Sequence, residues 1–579
     1  MKRILFISLV LLSGCSKFLD RQPLSQISPD NGFNSESELQ LYVRSFYDKM
    51  LPNADNEDNG FSSLYAETSN NIVLTGLTSQ YTGNRTVPVS GGGWDWTNLR
   101  NVNYFLQNYN RGGLDTTITY KYVAVAKFFR AYFYFNMVAR FGDVPFYSKV
   151  IEPNDTASLN KKRDPRTLVM DSVLNDINFA IAHLGTGKDV AEVTKWTALA
   201  LKSRLCLFEG TFRKYHTEFG LPDASKFLQQ SADAAAELMA NSGYTVYKGS
   251  YGGLFSSLSV IPEEIILSRQ YSFALQIFHN VNYYTTAPSF GKPGLEKSLV
   301  NSYLMKDGTR FTDIPGYATM QFYDETQNRD PRLSQTIRTP GYKRIEGSVA
   351  LPPSYAGTVT GYQLTKFVTA ATYDANGKSP NPLPVIRYAE VLLNYAEAKA
   401  ELGTITQADL DMSVKLLRDR VSMPGMDLTA ANASPDAYLA NQYTHVSGVN
   451  KGVILEIRRE RRIELVMEGF IWNDLMRWKE GHLLAVQFKG AYFPGEGIFD
   501  LDGNGSTDLV IYTGTQPAIP NVQFLKLGTD VVLENGASGG NIIINGTIPK
   551  SFNEERDYLF PLPTQDILLN NNLSQNPKW

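Results

Sequence analysis

Apolar residues fall at helical spacing along most of this chain. From Tyr120 to Arg140 the positions Tyr122, Ala126, Phe129, Phe133 and Met137 share one face, and Phe128, Tyr132, Tyr134 and Phe135 widen the stripe. A helix this apolar must be packed on two sides, and Gly142 followed by Pro145 stops it. The same period predicts helices over 35–50, 97–109, 166–184, 193–213, 223–241, 385–402, 407–422 and 452–480, separated by Gly, Pro or Asn. Within 385–402, Ala389, Leu392, Leu393, Ala396 and Ala400 form one face and Arg387, Glu390, Glu397 and Glu401 another. The small residues on the buried face let neighbouring helices approach closely.

Helix pairs of this length resemble tetratricopeptide repeats, although no clean period of ~34 residues is visible. Between the helical blocks lie two irregular stretches, about 243–380 and 484–552, rich in Gly, Tyr, Thr and Pro, with strand-like runs at Glu264–Ser268 and Ile542–Ile544. Irregular stretches this long inside a compact protein usually carry function. The expected organisation is a leader over 1–14, a helical region over 15–242, a loop-rich ligand-facing insertion over 243–380, a second helical region over 381–483 and a loop-rich C-terminal region over 484–579. The fold class is thus mainly α, a degenerate repeat scaffold with an irregular ligand-binding crust.

The N-terminus changes where such a protein belongs. Lys2 and Arg3 precede an apolar run from Ile4 to Leu12 and then Leu12-Ser13-Gly14-Cys15, the order of a secretory signal. The run is too short for a bilayer, which needs ~20 apolar residues. Small residues before a cysteine resemble the bacterial lipobox, with Cys15 as the acylated first residue, against a plain secretory peptide whose cysteine is incidental. Cys206 is the only other cysteine, so a lipidated chain has no intramolecular disulfide and must rely on its core. A formal net charge of −3 without a long basic run argues against nucleic acid and against an electrostatic membrane patch. Aromatic residues make up 12% of the chain, many of the 32 Tyr and 31 Phe in Gly- and Asn-rich stretches, and such a surface suits ligands with flat apolar faces, sugars included.

Catalytic signatures fail in turn. His183, His216, His279, His445 and His482 are scattered and form no paired metal spacing. Gly185-Thr186-Gly187-Lys188 lacks the first glycine of a phosphate loop, and Asp189 replaces its Ser or Thr. Gly536 to Gly540 matches GxSxG, but a strand pattern follows and no His comes after His482. A glycosidase pair needs only two carboxylates ~5 to 10 Å apart in space, which keeps a surface glycan hydrolase open as the alternative. The densest charge run, Glu456 to Glu464, sets Glu456 with Arg459 and Arg461 with Glu464 three apart, so that they pair along a helix surface at ~0.2 to 0.5 kcal/mol each. It reads as a salt-bridged structural helix.

Two further patterns suggest sites. Asp500, Asp502, Asn504 and Asp508 take the first, third, fifth and ninth positions of a calcium loop, with Gly505 at the turn and Ile511 where the closing Glu belongs. Structural Ca²⁺ and a polar hairpin turn both stay open there, and no other cofactor is called for. Gly91-Gly92-Gly93-Trp94-Asp95-Trp96 places two indoles between a flexible run and a helix start. Trp94 is favoured as a sugar contact and Trp96 as a core anchor, followed by Tyr81, Arg85, Tyr283, Tyr284 and Phe290 as candidate ligand contacts.

Several runs are similar to the SusD/RagB family of nutrient-binding surface lipoproteins: Ala126–Pro145 (AKFFRAYFYFNMVARFGDVP), Leu299–Gly308 (LVNSYLMKDG), Arg329–Leu333 (RDPRL), Ile386–Ala398 (IRYAEVLLNYAEA), Arg458–Trp478 and the ending Leu573–Trp579. Their order runs from the lipobox to the last residue. The resemblance implies a mainly α fold with four degenerate tetratricopeptide pairs and a binding face made by loops outside the repeats. It also implies packing as a lid on a SusC-like TonB-dependent transporter, with anchorage at the outer membrane and delivery of an oligosaccharide without catalysis. Binding residues vary with the ligand in this family. Only the location of Trp94 and Trp96 before the second helix carries over, and after them Tyr283 and Tyr284. A peptide ligand, or a helical adaptor binding only proteins, stays open beside the glycan.

Overall fold

The computed structural model describes residues 32–52, 69–289 and 291–579; the predicted leader with Cys15, and Phe290, lie outside them. The scaffold consists of α1 (Glu36–Met50), α2 (Thr97–Asn108), α3 (Thr116–Phe141), α4 (Arg166–His183), α5 (Lys195–Tyr215), α6 (Ala224–Asn241), α7 (Tyr388–Leu402), α8 (Gln407–Asp411), α9 (Val414–Arg420), α10 (Lys451–Glu464) and α11 (Ile471–Arg477). α3 packs on α1, α2 and α4; α5 on α4 and α6; and α7 on α6 and α10, giving stacked helix pairs of the tetratricopeptide type.

The apolar all-round pattern of α3 buries Tyr122, Ala126, Phe129 and Met137 on the expected face and Phe128, Tyr134 and Phe135 beside it. Arg130 ties α3 to α4 through two bonds to Asp176, at 2.6 and 2.8 Å. α5 starts with a capping box, Thr194 with Thr197, and approaches α6 so closely at Gly210 that a Cβ there would lie 2.8 Å from the Leu228 side chain. Cys206 is buried in α5, and burial pushes its thiol up to about 12, leaving it inert.

Among the described residues four small sheets organise the irregular parts of the chain. β1 (Ile72–Val73) pairs with β3 (Gly294–Leu295), β2 (Ile265–Arg269) with β4 (Leu383–Arg387) and β5 (Lys489–Phe493) with β9 (Gly540–Ile543), all antiparallel. β7 (Leu509–Tyr512) lies between antiparallel β6 (Gly497–Phe499) and parallel β8 (Gln523–Lys526).

Two predicted helices are broken. The 407–422 helix divides into α8 and α9 at Met412–Ser413, where the Ser413 hydroxyl donates to the Asp409 carbonyl. The 452–480 helix divides after Glu464, with Met467 and Gly469 at positive φ. Carbonyls that a continued helix would use are taken from outside: Glu464 O accepts from Arg387 and Tyr251 at 2.8 and 2.7 Å, and Val466 O accepts from Lys366 at 2.7 Å.

The Glu456–Glu464 run is structural, as expected, but it lies inside: every residue from Gly452 to Glu464 is buried. Of the two expected pairs only Glu456–Arg459 forms, at 3.2 Å, while Arg461 turns to Asp474 at 2.8 Å. Glu464 collects Arg332, Arg387 and Arg420 within 3.0 Å, and Glu460 collects Arg332 and Arg418. Burial alone would raise the Glu464 pKa, but the Arg420, Arg387 and Arg332 guanidinium groups hold it well below the usual carboxylate range. Arg458 stacks on Trp478, Tyr215 and Tyr443.

Candidate functional site

The tryptophan pair is placed in the reverse order of exposure. Gly91, Gly92 and Gly93 all adopt positive φ, and this turn tucks Trp94 inward, edge-on to Phe141 at 5.0 Å and to Trp96 at 5.2 Å. Arg140 closes over the turn by donating to the Gly92 carbonyl at 3.1 Å. Trp94 is 7% exposed and acts as the core anchor, whereas Trp96 is half-buried against Phe133 and Tyr147. A turn of three left-handed glycines can reverse the chain sharply, and it delivers the Trp94 indole to the apolar end of α3 at Phe141.

Tyr81 and Arg85 are also structural. The Tyr81 hydroxyl donates to the Ser69 carbonyl and accepts from the Ser69 N–H, at 3.1 and 2.8 Å, with the ring on Phe488. Arg85 is buried, ion-paired to Asp557 at 2.8 Å and stacked on Phe560 and Trp579. Both latch the N-terminal segment onto the C-terminal one. Tyr283 and Tyr284 sit half-buried on the short helix Val281–Thr286, their rings 5.9 Å apart, and Phe290 lies outside the described residues.

Beside those tyrosines the structure exposes what the sequence reading missed. Ser272 and Ile277 exchange backbone hydrogen bonds at 2.9 and 3.0 Å, forming a hairpin that turns at Gln276 with φ 54°. It carries Phe273, Leu275 and Ile277 outward, Phe273 60% and Leu275 72% exposed. Phe273 meets Phe278 at 5.6 Å and Tyr373 at 6.2 Å, and the Lys378 ammonium lies 5.1 Å above the Phe278 ring. At its foot opens a cleft of about 350 Å³ lined by Tyr47, Asp48, Ala191, Arg269, Tyr271 and Phe278. Asp48 and Arg269 pair within it at 2.8 Å.

This surface is braced from behind. Asn282 donates to the Tyr373 carbonyl and to Asp374, at 2.9 and 2.7 Å, and its own oxygen accepts from Thr369 N–H at 3.0 Å. His279 is buried; its Nε2–H donates to the Asn381 carbonyl at 2.8 Å, and Nδ1 accepts from Val281 N–H at 3.1 Å. Burial pushes the imidazole down to about 4, so it stays neutral and holds this tautomer. Exposed aromatic rings beside a paired acid and base can stack on sugar faces and hydrogen-bond their hydroxyls. The only sequence signal was the alternation Phe273, Leu275, Ile277 inside a region read as loop.

The Asp500–Asp508 loop joins antiparallel β6 and β7. Asp500, Asp502 and Asp508 each bring a carboxylate oxygen within 4.8 Å of the others. The Asn504 side-chain oxygen accepts from Ser506 N–H at 2.7 Å. Asp500 accepts four backbone N–H groups, from Asp502 to Gly505, which outweigh its desolvation and lower its pKa. Burial and the neighbouring Asp502 and Asp500 raise that of Asp508.

Residues 268–579 match the SusD family, and residues 34–206 match a family described as starch-binding associating with outer membrane. Among curated proteins, the chain is 22% identical to SusD-like protein P2 of Formosa agariphila, over 99% of this chain and 98% of that one. It is also 22% identical to SusD-like protein P25 of the same organism, but over 45% of this chain and only 49% of that one. A SusD-like carbohydrate binding protein from Bacteroides fragilis has the same fold, with a TM-score of 0.69 at 22% identity over 94% of this chain and 99% of that one. A laminarin binding SusD-like protein superposes with a TM-score of 0.55 at 20% identity, over 94% and 100%.

Proposed function

The chain belongs to the SusD family, and from that premise we propose that it captures an oligosaccharide at the outer-membrane surface and delivers it to a partner TonB-dependent transporter, without catalysis. The observation that carries the ligand-binding part is the exposed Phe273 hairpin, with Phe273 against Phe278 and Tyr373 and with Ile277 and Phe278 lining the Asp48–Arg269 cleft. The outer-membrane association in the name of the matched family supports the location, as do the carbohydrate- and laminarin-binding neighbours the class of ligand. Among the described residues the cleft wall holds one carboxylate, Asp48, already ion-paired, whereas glycoside hydrolysis uses two ~5 to 10 Å apart. That favours binding over the hydrolase reading.

Anchorage through an acylated Cys15 is part of the same proposal. Among the described residues no helix is long and apolar enough to cross a membrane. Cys15→Ser is expected to release the protein from the membrane fraction. Calcium in the Asp500, Asp502 and Asp508 cluster is proposed as a structural ion, outside the glycan surface.

The test is titration calorimetry of the soluble protein, starting at Ser16, with starch- and laminarin-derived oligosaccharides and other glycans. Saturable heat without product, weakened by Phe273→Ala and Tyr283→Ala, is the expected result. A panel silent throughout would move the ligand class to peptides, and released sugar would make the hydrolase the better account.

A further inference from the structure

We propose that the glycan held at the aromatic hairpin carries negative charge, as uronate carboxylates or sulfate esters, and that Lys378 and Arg338 select it. This deepens the reading of the hairpin as the glycan surface and rests on it.

The chain as a whole is slightly acidic, with 58 Asp and Glu against 55 Lys and Arg. The surface around the hairpin departs from that balance. Residues 270–289, which form the hairpin and the tyrosine helix, contain no Asp or Glu. The neighbouring segments 338–350 and 371–380 bring Arg338, Lys343, Arg344 and Lys378 against Glu346 and Asp374 alone. Positive charge is therefore in excess here, where the composition of the chain predicts none.

Contacts with the ring row place these cations. The Lys378 ammonium lies 5.1 Å over Phe278, which meets Phe273 at 5.6 Å. Tyr373 also meets Phe273, at 6.2 Å, and the next residue, Asp374, pairs with Arg344. Arg344 Nε donates to the Thr369 carbonyl at 2.6 Å, which fixes that guanidinium beside Asp374. Arg338 stands over the Tyr342 ring at 5.4 Å and donates to the Pro352 carbonyl at 3.4 Å.

The carboxylate at the centre of this group is already committed, since Asp374 accepts from Asn282 at 2.7 Å as well as pairing with Arg344. Among the described residues Arg338, Lys343 and Lys378 pair with no carboxylate. Lys343 and Lys378 are exposed and Arg338 is half-buried. Burial and the nearby Arg344 charge lower the Arg338 pKa, and Tyr342 and Asp374 offset only part of this. A half-buried guanidinium with a second one nearby and no carboxylate of its own is stabilised by an added anion. The rings take the C–H faces of a sugar, whatever its charge. The cations add what a neutral glycan would leave unused: charge-assisted hydrogen bonds to a carboxylate or sulfate.

The test is titration calorimetry of the soluble protein, starting at Ser16, with two matched pairs and one neutral glycan. The pairs are oligogalacturonate with its methyl ester and a κ-carrageenan oligosaccharide with its desulfated form; the neutral glycan is a laminarin oligosaccharide. Wild type, Lys378→Gln, the double variant Lys378→Gln with Arg338→Gln, and Phe273→Ala are compared at low and high salt. At least one charged member is expected to bind about tenfold tighter than its neutral partner and to lose that advantage in high salt. Lys378→Gln is expected to weaken it about fivefold and the double variant further, with the neutral partner unchanged; Phe273→Ala weakens both. Lys378 is exposed, so its replacement leaves the fold intact. Equal binding of charged and neutral members, or charged binding that neither salt nor the double variant reduces, overturns the proposal. Silence of both charged members overturns it as well. The reading of the hairpin then stands if the laminarin oligosaccharide binds in a Phe273-dependent way, and falls too if every glycan is silent.

Discussion

Helix α10 and the Phe273 hairpin invert the usual order of a protein interior. The most densely charged run of the chain is fully buried, and one of its most apolar short runs stands in solvent. The difference lies in what each side chain finds. Glu460 and Glu464 of α10 meet Arg332, Arg387, Arg418 and Arg420 from other elements, so burial leaves these central charges paired. Phe273, Leu275 and Ile277 lie on a hairpin held by two backbone bonds and braced by His279 and Asn282, and among the described residues no element covers them. The first arrangement fixes one structure; the second keeps an apolar surface for something else to cover.

The strongest break of this contrast is Glu464→Gln, which leaves Arg332, Arg387 and Arg420 buried around a neutral group. A loss of about 3–5 kcal/mol in denaturant unfolding is expected, and a loss below about 1 kcal/mol would show that α10 is not the hub. Trp94→Ala belongs with the interior and is expected to cost about 3 kcal/mol of stability, with glycan affinity of the folded protein unchanged. Lost affinity at intact stability would restore Trp94 as a ligand contact.

Acid sharpens the comparison from the other side. The His279 imidazole is held near 4 in the fold against an ordinary value of 6.5, so between these values the unfolded chain binds a proton that the fold refuses. Its contribution is complete above about pH 6.5 and falls on acidification by roughly 1.4 kcal/mol per pH unit through that window. Unfolding measured at pH 7 and pH 5 is expected to differ less in His279→Gln than in the wild type. Phe273→Ala is expected to move stability by no more than about 0.5 kcal/mol while weakening glycan binding by about 1 kcal/mol in calorimetry. The smallest effect belongs to Asp502→Asn, which is expected to abolish any rise of Tm with added Ca²⁺ and leave glycan binding intact.

Helices were legible because their signal is local. The stripe along 120–140, the Gly142–Pro145 stop and the small-residue face of 385–402 are each written within a few turns. The break after Glu464 was not, because it depends on Arg387, Lys366 and Tyr251, which lie 77 to 213 positions away in the sequence. Tyr81 and Arg85 looked like ligand contacts from their residue types alone. Their C-terminal partners, Phe488 and Asp557, turned them into latches.

What the sequence by itself determined is the mainly helical scaffold, its division by irregular stretches and the family resemblance, because periodicity and motif order survive in one dimension. Only the tertiary structure decided which aromatics face solvent, that Trp94 turns inward and Phe273 outward, and that the charge run of α10 lies inside. Burial is a property of what packs over a residue, and for these positions the covering groups come from distant parts of the chain.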